Sequence, residues 1–541
     1  MVQETVAEAP QADESAPLLG GAKKLWTTTY TRLNGEPHST DEESLSEHDD
    51  SPQQRSIMGI LSVLLIGVFV SQADSSLILA TNGEIASEFD SLDKASWLMT
   101  SFILAMCVSQ PMYGQLSNIF GRKNILLLSY TVFGIGTVMS GLGRNMMQVI
   151  AGRAIQGAGA AGMVSLVSIL ITDLVPMRDV AAYRSYVNIA QTVGRSSGGA
   201  IGGYIAQLWG WRGALLVQCP LTVMAIAMVA WKLHVPSTQP GSDQSSWSKV
   251  KRIDFPGMIS LGTAVFLFLL ILEIGGDIGW ASPLLISLAI ATLCSGVAFG
   301  VTEKYWATEP IFPLKLLTHL DVLTEYVILF IQTAIQTTIM FIIPTYFQVT
   351  QNVSTATAGA FLIPSIAGNT VGGLVTGAWI KKHAKYKLPI ITSSVASIVG
   401  FASLLLLWRG SDNLWQTLLV FPSGLATGIA HSAAFVALTA SVEDSEIAIA
   451  CSGLYLSANV GAVIGLSASN ALYQGKLQSG MYEALKDIEG GKKIAKKALS
   501  NIKFVQGLKG HIRDLVVEVY ISSFHRAFCK FHPVFVFHFR P

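Results

Sequence analysis

The chain contains a long series of apolar stretches, each close to the length that crosses a lipid bilayer as a helix. Such a helix needs about 20 apolar residues. The stretches are continuously apolar rather than alternating in polarity, which favours helices over the strands of a membrane barrel. Thirteen stretches are found, at residues 57–81, 95–117, 124–142, 146–172, 185–208, 213–233, 256–274, 280–302, 322–349, 356–380, 388–408, 415–440 and 447–473. The sequence therefore predicts an all-α polytopic membrane protein.

The composition excludes a large soluble enzyme. Hydrophobic residues make up 51% of the 541 residues and charged residues 13%, against about 25% charged in an ordinary soluble domain. The net charge of +1 gives no global reason to expect binding to nucleic acid. The cysteines lie far apart without the spacing of a zinc site, and no phosphate-binding GxxxxGK[ST] motif occurs. We expect no metal, no cofactor and no enzymatic activity.

Polar segments divide the series into parts. A serine-rich linker separates the first six stretches from the seven that follow, and it is the clearest internal boundary. The predicted organisation is a disordered cytosolic tail at 1–55, a first six-helix repeat at 56–233, a cytosolic linker at 234–254, two inserted helices at 255–303, a second repeat with five clear helices at 304–473, and a polar loop with an atypical C-terminal segment at 474–541.

The C-terminal segment has an interrupted apolar pattern. Residues 515–528 are largely apolar but include Glu518, His525 and Arg526, and the last residues include two histidines, a proline and an arginine. Charged groups are costly in hydrocarbon. We expect that this segment does not span the membrane, so a fourteenth span is degraded or missing.

Basic residues in the short loops predict the orientation. With the N-terminal tail in the cytosol, the cytosolic loops carry fourteen Lys and Arg residues and the opposite loops carry four. The glycosylation sequon at Asn352 then lies on the non-cytosolic side. In the tail, Glu14, Leu18 and Leu19 fit an acidic dileucine signal, which predicts recognition by a sorting adaptor.

Three charged residues lie deep inside the predicted spans, where each costs about 2.5–3.5 kcal/mol at a helix centre, whereas Glu273 and Glu325 lie near span ends. The three deep residues are Asp74, Arg153 and Arg195. One hypothesis makes Asp74 a carboxylate that binds and releases protons, with Arg153 stabilising its charged form. The alternative is a fixed ion pair that orders the bundle. His431 is titratable near neutral pH, although a packing role explains a single buried histidine equally well.

Four motifs resemble signatures of the major facilitator superfamily. Residues 114–123, GQLSNIFGRK, resemble the loop signature GxLaDrxGRK, and residues 153–159, RAIQGAG, resemble RxxQGxG. Residues 194–203 resemble the antiporter signature GPxxGG, and residues 74–78 resemble the DxTiv pattern of drug:proton antiporters with fourteen spans. A degenerate copy of the loop signature occurs at residues 372–382. Residues 188–196 are further similar to fungal vacuolar basic amino acid transporters.

Two residues depart from these signatures. Asn118 stands where the family has a loop aspartate, which puts the coupling of this loop to gating in doubt. Arg195 stands where the fifth-span motif has a proline, so a cation replaces a residue that kinks the helix.

The resemblance implies a major facilitator fold with two inserted helices, acting as a monomer by alternating access. The implied activity is proton antiport of basic amino acids from the cytosol into the vacuole, with Asp74 and Arg153 in proton coupling. Drug efflux across the plasma membrane and a non-transporting, defective variant are the alternatives. The expected gating residues are Gly114, Asn118, Gly121, Arg122, Lys123, Gly194, Arg195, Gly198 and Gly199. Candidate substrate residues are Gln156, Asn188, Gln191, Asn369, His431 and Asn459.

Overall fold

The computed structural model describes residues 52–91, 94–95, 97–233, 252–279, 282–306, 311–312, 314–353, 355–408, 414–488, 490–500 and 502–536. These residues form helices, and no strand occurs among them. The predicted sorting residues Glu14, Leu18 and Leu19 lie outside these ranges, as does most of the predicted linker.

Six helices form what we call the first half: α1 (Pro52–Glu88), α2 (Trp97–Phe120), α3 (Arg122–Gly141), α4 (Met146–Leu174), α5 (Met177–Leu216) and α6 (Gln218–Lys232). Helix α5 is interrupted at Gly210, whose φ is 70°. This break lies between the predicted stretches 185–208 and 213–233. Two further helices follow, α7 (Phe255–Ile278) and α8 (Pro283–Tyr305). The Asp254 side chain caps α7 by accepting a hydrogen bond from the Gly257 backbone N–H.

The remaining helices form what we call the second half. They are α9 (Leu314–Thr318), α10 (Leu320–Thr350), α11 (Thr355–Ala360), α12 (Ile363–His383), α13 (Lys387–Leu407), a 3₁₀ helix (Leu414–Val420), α14 (Phe421–Ala440), α15 (Ile447–Ala484), α16 (Gly491–Ser500), α17 (Ile502–Gly507) and α18 (His511–Val536).

The helix pairings of the first half recur in the second. Helix α1 packs on α5 as α10 packs on α15, and α2 packs on α4 as α12 packs on α14. Helix α3 packs on α4, and α13 packs correspondingly on α14. The halves meet where α5 contacts α12 and where α2 contacts α15, while α7 lies against α2 and α8. The chain is therefore built from two similar helical units.

Ten segments of the described chain are long and apolar enough to cross a membrane, so the predicted number of thirteen is not confirmed. Helices α2 and α12 are not among the ten, and the end of α5 forms one segment with α6. Helices α2 and α12 both contact the opposite half. Because this interface is polar, they include buried groups such as Gln110 and Asn369, which lower their apolar character.

The C-terminal segment forms one continuous helix, α18, against the second half. Tyr520 and Phe524 are buried there. Phe524 stacks on Tyr473 of α15, and the His525 Nε2 atom lies 2.6 Å from the Trp408 carbonyl oxygen. Helix α18 contacts α10 and α13, as α6 contacts α1 and α3 in the first half. It is not among the ten segments, and its relation to a membrane stays a prediction.

Candidate functional site

A fully buried ion pair lies inside the first half. The Asp74 side chain of α1 and the Arg153 side chain of α4 are both 0% exposed. The Arg153 Nη1 atom donates to Asp74 Oδ2 over 2.5 Å. Two amides complete the shell of the carboxylate, because Gln156 Nε2 and Gln218 Nε2 each donate to Asp74 Oδ1 over 2.9 Å. The carboxylate thus accepts three hydrogen bonds from α4 and α6.

Arg153 is held by further contacts. Its Nε atom donates to the Leu98 carbonyl oxygen over 3.1 Å, and Nη1 also donates to Gln156 Oε1 over 2.6 Å. The guanidinium lies 4.5 Å from the centroid of the Phe102 ring. Its Nη2 atom has no hydrogen-bond partner among the described residues. Since two charges have been removed from water, the loss of either partner leaves a costly unpaired charge.

The structure brings together three of the residues that the sequence singled out. Asp74 and Arg153 pair as proposed, while Gln156, expected at the substrate, contacts Asp74 instead. Gln218 was not anticipated. Its only signal was one amide inside the apolar stretch 213–233, which does not indicate which helix it contacts. The shell seals Asp74 from solvent in this state.

Apart from Gln156, the predicted substrate residues lie away from this ion pair, along the interface between the halves. Asn188 Nδ2 on α5 donates to Asn369 Oδ1 on α12 over 2.5 Å. Asn459 Nδ2 on α15 donates to Gln110 Oε1 on α2 over 2.6 Å. Gln191 is 8% exposed on α5. These two amide pairs show that polar groups join the halves.

Arg184 is one of the fourteen basic residues that the sequence places in cytosolic loops, but the structure buries it within α5 at this interface. Its Nη1 atom donates to Ser168 Oγ over 2.6 Å, and its guanidinium lies 4.4 Å from the centroid of the Phe435 ring. Ser168 also contacts the hydroxyl of Tyr455 on α15. The prediction was wrong because α5 is longer than the apolar stretch 185–208 that marked it. The helix begins at Met177, so Arg184 lies within it.

His431 and Arg195 lie near the same interface. His431 is half-buried on α14, and the charges of Arg184 and Arg195 both act on it. Arg195 is exposed on α5, and its Nε atom donates to Gln72 Oε1 on α1 over 2.6 Å.

The loop between α2 and α3 retains a carboxylate partner in spite of Asn118. The Arg122 Nε atom lies 2.9 Å from Asp173 Oδ2 at the end of α4. Arg122 Nη1 donates to Asn118 Oδ1 over 2.6 Å, and Asn118 Nδ2 donates to the Ser445 carbonyl oxygen over 3.4 Å. Lys123 Nζ donates to the Ala230 carbonyl oxygen over 2.7 Å. Asp173 therefore supplies the negative charge that position 118 lacks.

The motif glycines allow close helix contacts. Gly121 has a φ of 87°, which favours glycine at this turn. A methyl group at Gly114 would lie 2.7 Å from Ser452 Oγ on α15. Methyl groups at Gly194 and Gly198 would overlap the α1 backbone, and one at Gly199 would lie 3.3 Å from the Ser76 carbonyl oxygen. The fifth-helix motif thus permits α5 to pack on α1.

Asn352 belongs to the predicted glycosylation sequon. Asn352 is exposed, with a φ of 56°, just after α10, but Ser354 of its sequon lies outside the described residues. Among the described His, Cys, Asp and Glu residues, no group of three or more could hold a metal ion.

Two similar helical units that meet along a polar interface, with charges sealed in membrane helices, define the class of helical membrane transporters. The family model described as Major Facilitator Superfamily matches residues 64–466. The chain belongs to this superfamily, whose members are transporters rather than enzymes.

The curated relatives differ in what they transport. The Vacuolar membrane amino acid uptake transporter fnx2 of Schizosaccharomyces pombe is 32% identical, over 87% of this chain and 81% of its own length. The Vacuolar basic amino acid transporter 1 of Saccharomyces cerevisiae is 31% identical, over 78% of each chain. Efflux pump dotC of Dothistroma septosporum is 27% identical, over 80% of this chain and 74% of its own.

Solved structures share the fold at low sequence identity. The proton:xylose symporter XylE superposes with a TM-score of 0.54 at 15% identity, covering 90% of this chain and 97% of its own. The human organic anion transporter MFSD10 superposes with a TM-score of 0.55 at 13% identity, covering 90% and 99%. These two likenesses support the major facilitator fold.

Proposed function

We propose that the protein is a proton-coupled antiporter that moves basic amino acids from the cytosol into the vacuole. The observation that carries proton coupling is the sealed Asp74–Arg153 pair, because protonating this carboxylate removes the negative charge that one cation and two amides hold in place. The two vacuolar relatives support the choice of cargo and membrane. The acidic dileucine pattern of the tail supports delivery to the vacuole.

The mechanism we propose is alternating access. Polar contacts join the halves at the end that the basic loop residues assign to the cytosol. There Lys381 Nζ lies 3.0 Å from Asp179 Oδ1, and Ser185 Oγ donates to the Gly373 carbonyl oxygen over 2.5 Å. This arrangement corresponds to a state closed toward the cytosol. Opening toward the cytosol requires these contacts to separate, with Arg122 and Asp173 guiding the motion of the loop.

Coupling requires that protonation and substrate binding favour opposite states. Because Asp74 is sealed, a proton reaches it only when the helices around it rearrange. Protonation removes the charge that attracts Arg153, so the neutral acid weakens the contact between α1 and α4. We propose that this weakened contact shifts the equilibrium between the two states of alternating access, and that the substrate does not bind directly to Asp74.

The test is uptake of labelled Lys, Arg and His into energised vesicles, with and without collapse of the pH gradient. Uptake should be concentrative in the parent protein and should fall to equilibration in Asp74→Asn. The matched control is Glu273→Gln, which neutralises a membrane carboxylate that accepts a hydrogen bond from Thr100 over 2.7 Å, outside the Asp74 network. Unchanged concentrative uptake by Asp74→Asn would remove Asp74 from the mechanism.

Drug or toxin efflux across the plasma membrane is the second candidate, favoured by the similarity to efflux pump dotC. It predicts a tagged protein at the plasma membrane and broad compound resistance on overexpression. The Arg122–Asp173 contact argues against the third alternative, a non-transporting variant, since the loop keeps an ion pair. That alternative would gain support if the purified protein gave no proton-coupled flux of any tested compound.

A further inference from the structure

Arg195 is a cation exposed on the side of α5 that faces the second half. With about 3.6 residues per turn, Arg195 lies two turns from Asn188 on the same side of the helix, and Asn188 contacts Asn369 of the second half. The exposed apolar stripe of α5, formed by Val193, Ile201 and Tyr204, lies on the opposite side. Arg195 therefore faces the space between the halves and not the surrounding hydrocarbon.

The guanidinium is oriented but has spare donors. Its Nε atom donates to Gln72 Oε1, and Gln72 is 5% exposed, so this contact fixes the side chain at the edge of α1. Among the described residues, no hydrogen bond or ion pair involves the two terminal nitrogens of Arg195. A planar guanidinium with two free nitrogens matches a carboxylate in bidentate geometry.

Three acidic groups of the described membrane helices have other partners. Asp74 is enclosed by its three donors, Glu273 accepts from Thr100, and Glu303 accepts from the Phe312 backbone N–H. His431, on α14 across the interface, also experiences the charge of Arg195. Among the described residues no hydrogen bond or ion pair joins Arg195 to a carboxylate, so its positive charge disfavours a purely cationic ligand beside it.

We propose that Arg195, oriented by Gln72, binds the carboxylate of the transported molecule. This assignment rests on the proposed amino acid transport and deepens it: the site selects molecules with a free carboxylate, and a basic side chain of the substrate points away from Arg195. Cations without a carboxylate, including diamines and cationic drugs, lack the group that Arg195 recognises.

The test compares lysine with two analogues, lysinamide and cadaverine, in binding to the purified full-length protein in lipid nanodiscs. Lysinamide differs from lysine by the conversion of the carboxylate to an amide, and cadaverine lacks the carboxylate altogether. The parent protein should bind lysine at least ~10-fold more tightly than either analogue, the effect typical of one charge-assisted hydrogen-bond pair. Equal binding of lysine and lysinamide would overturn the proposal without any mutation.

Substitutions locate the effect at Arg195. Arg195→Gln should weaken lysine binding by ~10-fold and leave lysinamide binding unchanged, so that the discrimination disappears, while Arg195→Lys should keep part of it. The matched control is Arg212→Gln on the same helix, whose arginine contacts Glu88 and not the interface; it should discriminate as the parent does. Retained discrimination in Arg195→Gln would contradict the assignment.

Lysine uptake in vesicles separates this inference from the proposed function. Uptake that depends on the pH gradient, combined with unchanged carboxylate selectivity in Arg195→Gln, would overturn the Arg195 assignment alone. Carboxylate selectivity that depends on Arg195, combined with uptake indifferent to the gradient, would overturn proton coupling alone. Binding of cadaverine but of no amino acid would overturn both.

Discussion

The two halves of the molecule share their helix packing but differ in the chemistry that joins their helices. In the first half, Asp74, Arg153, Gln156 and Gln218 form a charged network. In the second half, Gln332 Nε2 donates to Thr427 Oγ1 over 3.3 Å, and Thr427 donates to Gln336 Oε1 over 3.0 Å. Ser365 and Ser397 extend this network, which contains no charged side chain.

The positions of the networks correspond. Asp74 lies on α1 and Arg153 on α4, while Gln332 and Gln336 lie on α10 and Thr427 on α14, the helices with the same packing roles. The second half therefore demonstrates that neutral side chains are sufficient to join these helices. A buried ion pair rarely stabilises a protein more than well-packed neutral groups do, which supports the proposal that the charges of the first half serve proton coupling.

The largest expected effect comes from making the first half resemble the second. Arg153→Gln leaves Asp74 buried without its cation and should lower the free energy of unfolding by about 3–5 kcal/mol. The double variant Asp74→Asn/Arg153→Gln removes both charges and should recover most of this loss while remaining inactive in concentrative uptake. Thermal unfolding of the purified variants in detergent measures the first effect, and vesicle uptake measures the second.

Two results would contradict this account. A double variant as unstable as Arg153→Gln would indicate that the charges hold the bundle together. A double variant with concentrative uptake would indicate that the pair has no part in coupling.

Substitution of glycines at close helix contacts should have an intermediate effect on stability. Both halves contain such a contact. A side chain at Gly198 would overlap the Ala73 carbonyl oxygen of α1, and one at Gly465 would overlap the Ala334 carbonyl oxygen of α10. Gly198→Ala and Gly465→Ala should each destabilise the protein by about 1–3 kcal/mol through overpacking. Gly296→Ala is the control, because nothing lies within 4 Å of its added methyl group. Yield and melting temperature report the outcome; unaffected variants at Gly198 and Gly465 would indicate looser helix packing.

The smallest expected effect concerns pH and an exposed contact of the first half. Hydrogen bonds from Trp211 and Arg212 lower the pKa of Glu88 below its ordinary value. A lowered pKa means that the contribution of the carboxylate to stability is complete above about pH 4.3 and is lost as the pH falls through the lower, folded-state pKa. The corresponding end of α10 is held by neutral contacts, since Gln506 Nε2 donates to the Gln348 carbonyl oxygen over 3.0 Å.

We therefore expect Glu88 to contribute a small, constant amount to the melting temperature between pH 7 and pH 5.5, and this contribution to disappear as the pH falls below about 4.3. The comparison is between the parent protein and Glu88→Gln over this range. A difference between them that changes between pH 7 and pH 5.5 would show that the pKa of Glu88 is not lowered.

The sequence predicted the superfamily and the principal charged residues because both depend on local signals. A carboxylate at 74 and a guanidinium at 153 are conspicuous in apolar stretches, and their cost predicted that they would pair. Gln218 and Arg184 were missed because an amide or an arginine near the end of a stretch is compatible with water, and only the packing of helices distant in sequence shows that they are buried.

The sealed position of Asp74 bears on how related transporters evolve different cargo specificities. If the proton is exchanged inside one helical unit and the cargo binds between the two units, mutations that change the cargo site leave proton coupling intact. Relatives named for amino acid uptake and for efflux can then descend from one ancestor without changing the residues that exchange the proton. Swapping interface residues between such relatives should exchange their cargo while each remains powered by the same gradient.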